Sequence, residues 1–153
     1  MSYSYLAIAY TGREQDSYDY SKKALAFYMN EKVPAFSPIV HGHRVSTEHA
    51  LLGDWEFWKQ LSFAMIMPAP MVHVLVPTGW EDFTLASRGV NAEISYAVSQ
   101  RKHIHAVTLD GRGICRRHPS ETLILESLGV PIGYDNCEGT LRTMANRHHS
   151  AQH

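Results

Sequence analysis

The sequence predicts an α/β protein: a single-domain Rossmann-like or flavodoxin-like three-layer sandwich with a mostly parallel sheet of four to five strands. Three observations carry this expectation. Short apolar runs alternate with longer segments whose apolar residues recur at helical spacing. Turn residues punctuate them, as at Thr11-Gly12-Arg13 and Asp110-Gly111-Arg112-Gly113. The length, 153 residues, is that of one ordinary domain. Repeated βα units close most simply into a parallel sheet with helices on both faces.

The elements follow in order. Tyr3 to Tyr10 reads as a first buried strand. Asp16 to Asn30 has Tyr20, Ala24, Phe27 and Tyr28 near helical spacing, with Asp16 or Ser17 as cap. Val33 to Ile39 reads as a second strand interrupted by Pro34 and Pro38, followed by a loop from His41 to Ser46. Asp54 to Met67 is a helix rich in Trp, Phe and Met, stopped by Pro68 and Pro70. Met71 to Val76 is a third strand, and Pro77 to Arg88 its exit loop. Val90 to Gln100 is a helix and His103 to Leu109 a fourth strand. Ser120 to Leu128 is a helix capped by Ser120 and ended by Gly129. Val130 to Tyr134 is a candidate fifth strand and Gly139 to Asn146 a candidate last helix. The tail 147–153 is expected to be disordered.

Composition narrows the class. With 14 basic and 15 acidic side chains the formal charge is −1, so nucleic-acid binding is not expected. The longest apolar stretch, Phe63 to Pro77, is broken by prolines and too short to span a bilayer, so no membrane partner is expected. Cys115 and Cys137 form neither a disulfide framework nor a metal spacing. No secretory pattern opens the chain, and a cytoplasmic location is the expectation. No cofactor is indicated. Gly111-Arg112-Gly113 is too late and lacks the third Gly of a dinucleotide fingerprint.

In an open α/β sheet, ligands bind at the carboxyl edge of the strands. The first strand delivers Tyr5, then Tyr10, Thr11, Gly12 and Arg13 to that edge. The second delivers Ser37, His41 and His43; the third delivers Gly79, Trp80 and the loop to Ser87. Gly89 opens the stretch Gly89-Val90-Asn91-Ala92-Glu93-Ile94-Ser95-Tyr96-Ala97, which starts a helix. Glu93 then falls in or near the first turn, where the helix dipole favours an ionised carboxylate. Such a carboxylate in a crevice is a candidate nucleophile or base; the alternative is a solubilising Glu at a helix start. Hydroxyls, a cation, an aromatic plate and imidazoles around it suit a sugar or nucleotide. Each has a plainer reading: Tyr5 as a core aromatic, Arg13 as a solvated loop residue rather than a phosphate grip, Trp80 as a plug. Trp55 and Trp58 read as packing. His41 and His43 lack a third ligand at a diagnostic spacing, so no metal is expected.

Tyr5-Leu6-Ala7, the strand Val72 to Val76, and the stretch from Gly89 to Gln100 resemble the nucleoside 2-deoxyribosyltransferase family and the related deoxynucleotide N-glycosidases. Ser37-Pro38-Ile39 to His41, Trp55 to Trp58 and Gly79-Trp80-Glu81 resemble a phage and bacterial branch of that superfamily. The likeness covers about residues 3 to 110. It implies that Glu93 attacks C1′ of the sugar to form a glycosyl-enzyme, and that Tyr5 orients it. It also implies that Thr11 to Arg13 approach the 5′ side, and that the chain forms a homo-oligomer. The substrate implied is a (deoxy)nucleoside or its 5′-monophosphate. The chain departs from the pattern at the family's acids. Ser87 stands ahead of Glu93 where an Asp is usual. Leu61 to Met65 carries no acid, and another family Asp is replaced near Pro70. Glu81, Asp82, His41 or His43 are the available substitutes for protonating a base. The alternative function is a catalytically silent nucleotide or nucleotide-sugar binder; a partner-binding domain is a third.

Overall fold

The computed structural model describes residues 3–51 and 54–136. Five strands form one sheet in the order β2-β1-β3-β4-β5. They are β1 (Ser4–Ile8), β2 (Ala35–Phe36), β3 (Met71–Leu75), β4 (His103–Leu109) and β5 (Cys115–Arg117). The first four are mutually parallel; β5 is antiparallel to β4. This is the doubly wound flavodoxin-like order, whose switch point lies between β1 and β3. The α/β sandwich expected from the βα rhythm is therefore the fold.

Strand alternation sorts the core into two layers. Tyr5, Ala7, Val72, Val74, Ile104 and Ala106 face one side. There they meet α5 (Arg88–Ser99) and α6 (Glu121–Ser127) through Val90, Ile94, Ile124 and Leu125. Leu6, Ile8, Leu75 and Val107 face the other side, against Ala24, Phe27 and Tyr28 of α1 (Glu14–Asn30). Helix α3 (Trp55–Ile66) contributes to both layers: Ile66 joins the first and Trp58 the second.

Five local expectations are corrected. The second strand is only Ala35–Phe36, and the segment read as a loop at His41 to Ser46 lies inside α2 (Pro38–Glu48). Ser37 accepts the Val40 N–H at 3.1 Å as N-cap, and Pro38 opens the helix with a pre-set φ. The exit loop after β3 holds a short helix, α4 (Glu81–Leu85). The fifth strand is Cys115–Arg117 rather than Val130 to Tyr134. The Asp110 carboxylate accepts the N–H groups of Arg112 and Ile114, closing a turn that returns the chain beside β4. Helix α1 starts at Glu14, with Arg13 as N-cap and no capping side chain. The candidate helix Gly139 to Asn146 and the tail lie outside the described residues. Among the described residues, no helix is long and apolar enough to cross a membrane.

Candidate active site

At the carboxyl edge of β1 a cavity of about 370 Å³ opens between α2, α3, α4 and α5. That is within the size range of small-molecule sites. Ile8, Tyr10 and Thr11 reach it from the end of β1, and Pro38 and Ile39 from the start of α2. Helix α3 supplies Trp55, Trp58 and Ser62, and Asp54 precedes it. Phe83 and Ala86 come from α4 and the residue after it; Ser87, Arg88, Gly89 and Glu93 come with α5.

Glu93 is the buried carboxyl of this wall, 5% exposed. Ser87 is the N-cap of α5, accepting the Val90 N–H at 3.2 Å, so the helix starts earlier than Val90 and Glu93 sits in its second turn. The phenol of Tyr5, wholly buried on β1, donates to Glu93 Oε2. The hydroxyl of Ser62, buried on α3, lies near the carboxyl and favours its charged form. Burial and the adjacent carboxyl hold the Tyr5 phenol well above 10, so it remains a donor. The ionisation expected of Glu93 is corrected. Desolvation raises its carboxyl from the ordinary 4.5 to about 7, against the lowering effect of Tyr5 and Ser62. A helix dipole contributes about 0.3–1 kcal/mol and fades beyond the first turn. The net shift corresponds to about 3 kcal/mol, so burial decides.

The remaining candidates divide. Tyr10, Thr11, Ser87 and Gly89 line the cavity. Arg13 lies outside the lining set, its guanidinium 4.3 Å from the Phe83 centroid and 5.0 Å from that of Trp80. Trp80 packs edge-on against Phe83. Gly12, at φ +100°, makes the turn that leads into Arg13, and Gly79, at φ +85°, is exposed. Ser37 caps α2 and lies outside the lining set. His41 is exposed and packs on Phe36. His43 is buried under Tyr18, with Nδ1 2.7 Å from the Tyr10 hydroxyl, and burial lowers its pKa. It supports a lining residue rather than the cavity itself. Of the substitutes for a base-protonating acid, none lines the cavity. Glu81 lies 3.2 Å from His118 instead. Among the described residues no group of three or more His, Cys, Asp or Glu is placed to hold a metal ion.

Three contributors escaped the sequence reading. Ser62 stood in a segment noted only for lacking an acid, and Trp55 and Trp58 read as packing alone. Their shared signal was the spacing 55, 58, 62, one face of a helix. Because a donor to a carboxylate favours its charged form, Ser62→Ala should raise the titration midpoint of Glu93 by roughly one pH unit. A ¹³C NMR titration of the Glu carboxyls reads this directly; an unmoved or lowered midpoint contradicts the contact.

No protein-family model matches the chain, and no curated protein matches it.

Proposed function

We propose that the protein cleaves or transfers across the N-glycosidic bond of a (deoxy)nucleoside or nucleoside 5′-monophosphate, with Glu93 as nucleophile. We place it in the nucleoside 2-deoxyribosyltransferase-like superfamily. The supporting observation is Glu93 itself: a buried carboxyl, fastened by Tyr5 with Ser62 nearby, forming part of the wall of a cavity at the switch point of the sheet. Fixing the carboxyl orients an oxygen toward C1′, and a glycosyl-enzyme splits the substitution into two steps. The nucleophile must be anionic, so turnover rises with pH through about 7 as Glu93 ionises.

Incubation with purine, pyrimidine and N-alkylated nucleosides and their monophosphates, with chromatography of the free base, tests this. Base release should fall by roughly 10³-fold or more in Glu93→Gln, the scale seen when a covalent nucleophile is removed. Release equal in the two proteins rejects the reading.

The second reading is a silent nucleotide or nucleotide-sugar binder. It draws on a carboxyl that is half protonated at neutral pH and on a wall lacking the family's acids. Thermal stabilisation by the same compounds without any turnover would favour it. The proposal includes a cytoplasmic homo-oligomer. Phe57, on α3, is 41% exposed and Met67, just after it, 59%. Light scattering that gives a monomer at micromolar concentration rejects the assembly.

A further inference from the structure

The walls of the cavity are strongly aromatic. Trp55 and Trp58, one helical turn apart on α3, line it with Tyr10 and Phe83. The two indoles rest almost directly on backbone. A Cβ on Gly42 of α2 would stand 2.5 Å from two carbons of the Trp58 ring, and one on Gly89 of α5 would stand 3.2 Å from Trp55. Outside the lining set, Arg13 already places a cation 4.3 Å from the centroid of the lining residue Phe83. The charged side chains of the lining are Asp54, Glu93 and Arg88, and Arg88 is held 2.8 Å from Glu56. The face of an aromatic ring is electronegative, Trp most of all, and attracts a cation more strongly where water is excluded.

The leaving group points the same way. A neutral base departs as an anion unless it receives a proton. The lining carboxyls among the described residues are Glu93, which attacks, and Asp54. Asp54 is exposed, and its Oδ1 accepts the Phe57 N–H at 3.0 Å as the cap of α3. A base that already carries a fixed positive charge, an N-alkylated pyridine or an N7-alkylated purine, departs as a neutral molecule and needs no acid.

We propose that the site takes an N-glycoside whose base carries a fixed positive charge, held against the indoles of Trp55 and Trp58. This rests on the glycosyl-transfer reading. A Glu93 carboxylate oxygen bonds to C1′ as the C1′–N bond breaks, and the electron pair of that bond passes to the ring nitrogen. The base leaves neutral and a glycosyl ester remains. Water then bonds to C1′, the ester electron pair returns to Glu93, and the spare proton of the water passes to solvent.

Two measurements separate the parts. Calorimetric titration compares N1-methylnicotinamide with nicotinamide, which differ by a methyl group and the charge. The cation should bind about tenfold more tightly, and this preference should shrink in Trp58→Leu and in Trp55→Leu. Base release, corrected for the uncatalysed rate, compares N7-methylguanosine and nicotinamide riboside with guanosine, in ribo and 2′-deoxy forms. The cationic nucleosides should show kcat/KM about 100-fold or more above guanosine, dependent on Glu93. Equal binding of the two nicotinamides, or guanosine turned over as fast as its N7-methyl form, overturns the inference and leaves glycosyl transfer standing. Release from none of the nucleosides overturns glycosyl transfer, while the nicotinamide titration still decides the charge preference.

Discussion

Replacing Glu93 with Gln should make the protein more stable above pH 7 while abolishing the base release proposed for it. The sign follows from proton uptake. In the folded chain the Glu93 carboxyl titrates at about 7; in the unfolded chain it titrates near the ordinary 4.5. Below both values the two states hold the proton equally. Between them the folded state keeps a proton that the unfolded state has released, so stability falls as pH rises. Above about pH 7 the full penalty, on the order of 3 kcal/mol, is present. Gln is nearly isosteric, carries no charge and still offers an oxygen to the Tyr5 phenol. Its melting temperature should exceed that of the wild type by roughly 3–10 °C at pH 8, and the two should converge near pH 4. Differential scanning calorimetry across this range is the check. A difference independent of pH would mean that Glu93 does not titrate in a buried setting.

The second large effect is expected at Gly42. An added methyl would stand 2.5 Å from Cη2 and Cζ3 of Trp58. The ring cannot yield easily: it is 7% exposed and packs edge-on against Tyr10 and Phe57. Ala gains up to about 1 kcal/mol over Gly in a helix interior. Overpacking a buried ring costs about 1–3 kcal/mol, so the clash wins. Gly42→Ala should lower the melting temperature and, by shifting the indole that lines the cavity, weaken binding of the proposed cationic ligand by about tenfold. Gly111→Ala, where an added Cβ meets nothing within 4 Å, is the matched control. Equal melting temperatures for the two variants would show that α2 and α3 do not press together here.

The order of elements was legible because apolar periodicity survives without any tertiary information. β1, β3, β4, α1, α3 and α5 were each readable from their own residues. What failed depended on local competition or on distant neighbours. Pro38 reads in the sequence as an interruption of a strand, although Ser37 and Pro38 are a helix cap and first helical residue. β5 is three residues long, with two exposed arginines, and leaves no apolar signature. Val130 to Tyr134 is apolar at intervals, but Pro131 offers no N–H to a ladder. At the site, Glu93 and Tyr5 were named from sequence, and the structure brings them into contact across 88 positions of the chain. The charge state of Glu93 was misjudged because a helix start is visible in a sequence and desolvation is not. Ser62, Trp55 and Trp58 were overlooked as site residues because their neighbours on α2 and α5 give them their places.

These last three share one side of α3, at positions 55, 58 and 62. A single rod therefore carries both the indoles that line the cavity and the hydroxyl that lies beside the Glu93 carboxyl. Turning that rod by one residue, about 100°, would swing all three away together. Evolution of a roomier or narrower pocket by reseating this rod would consequently alter the setting of the Glu93 carboxyl too, whereas exchanging Trp55 or Trp58 on a fixed rod would not. Selectivity in such a molecule is freest to drift through single replacements at positions 55 and 58, with the helix axis itself held constant.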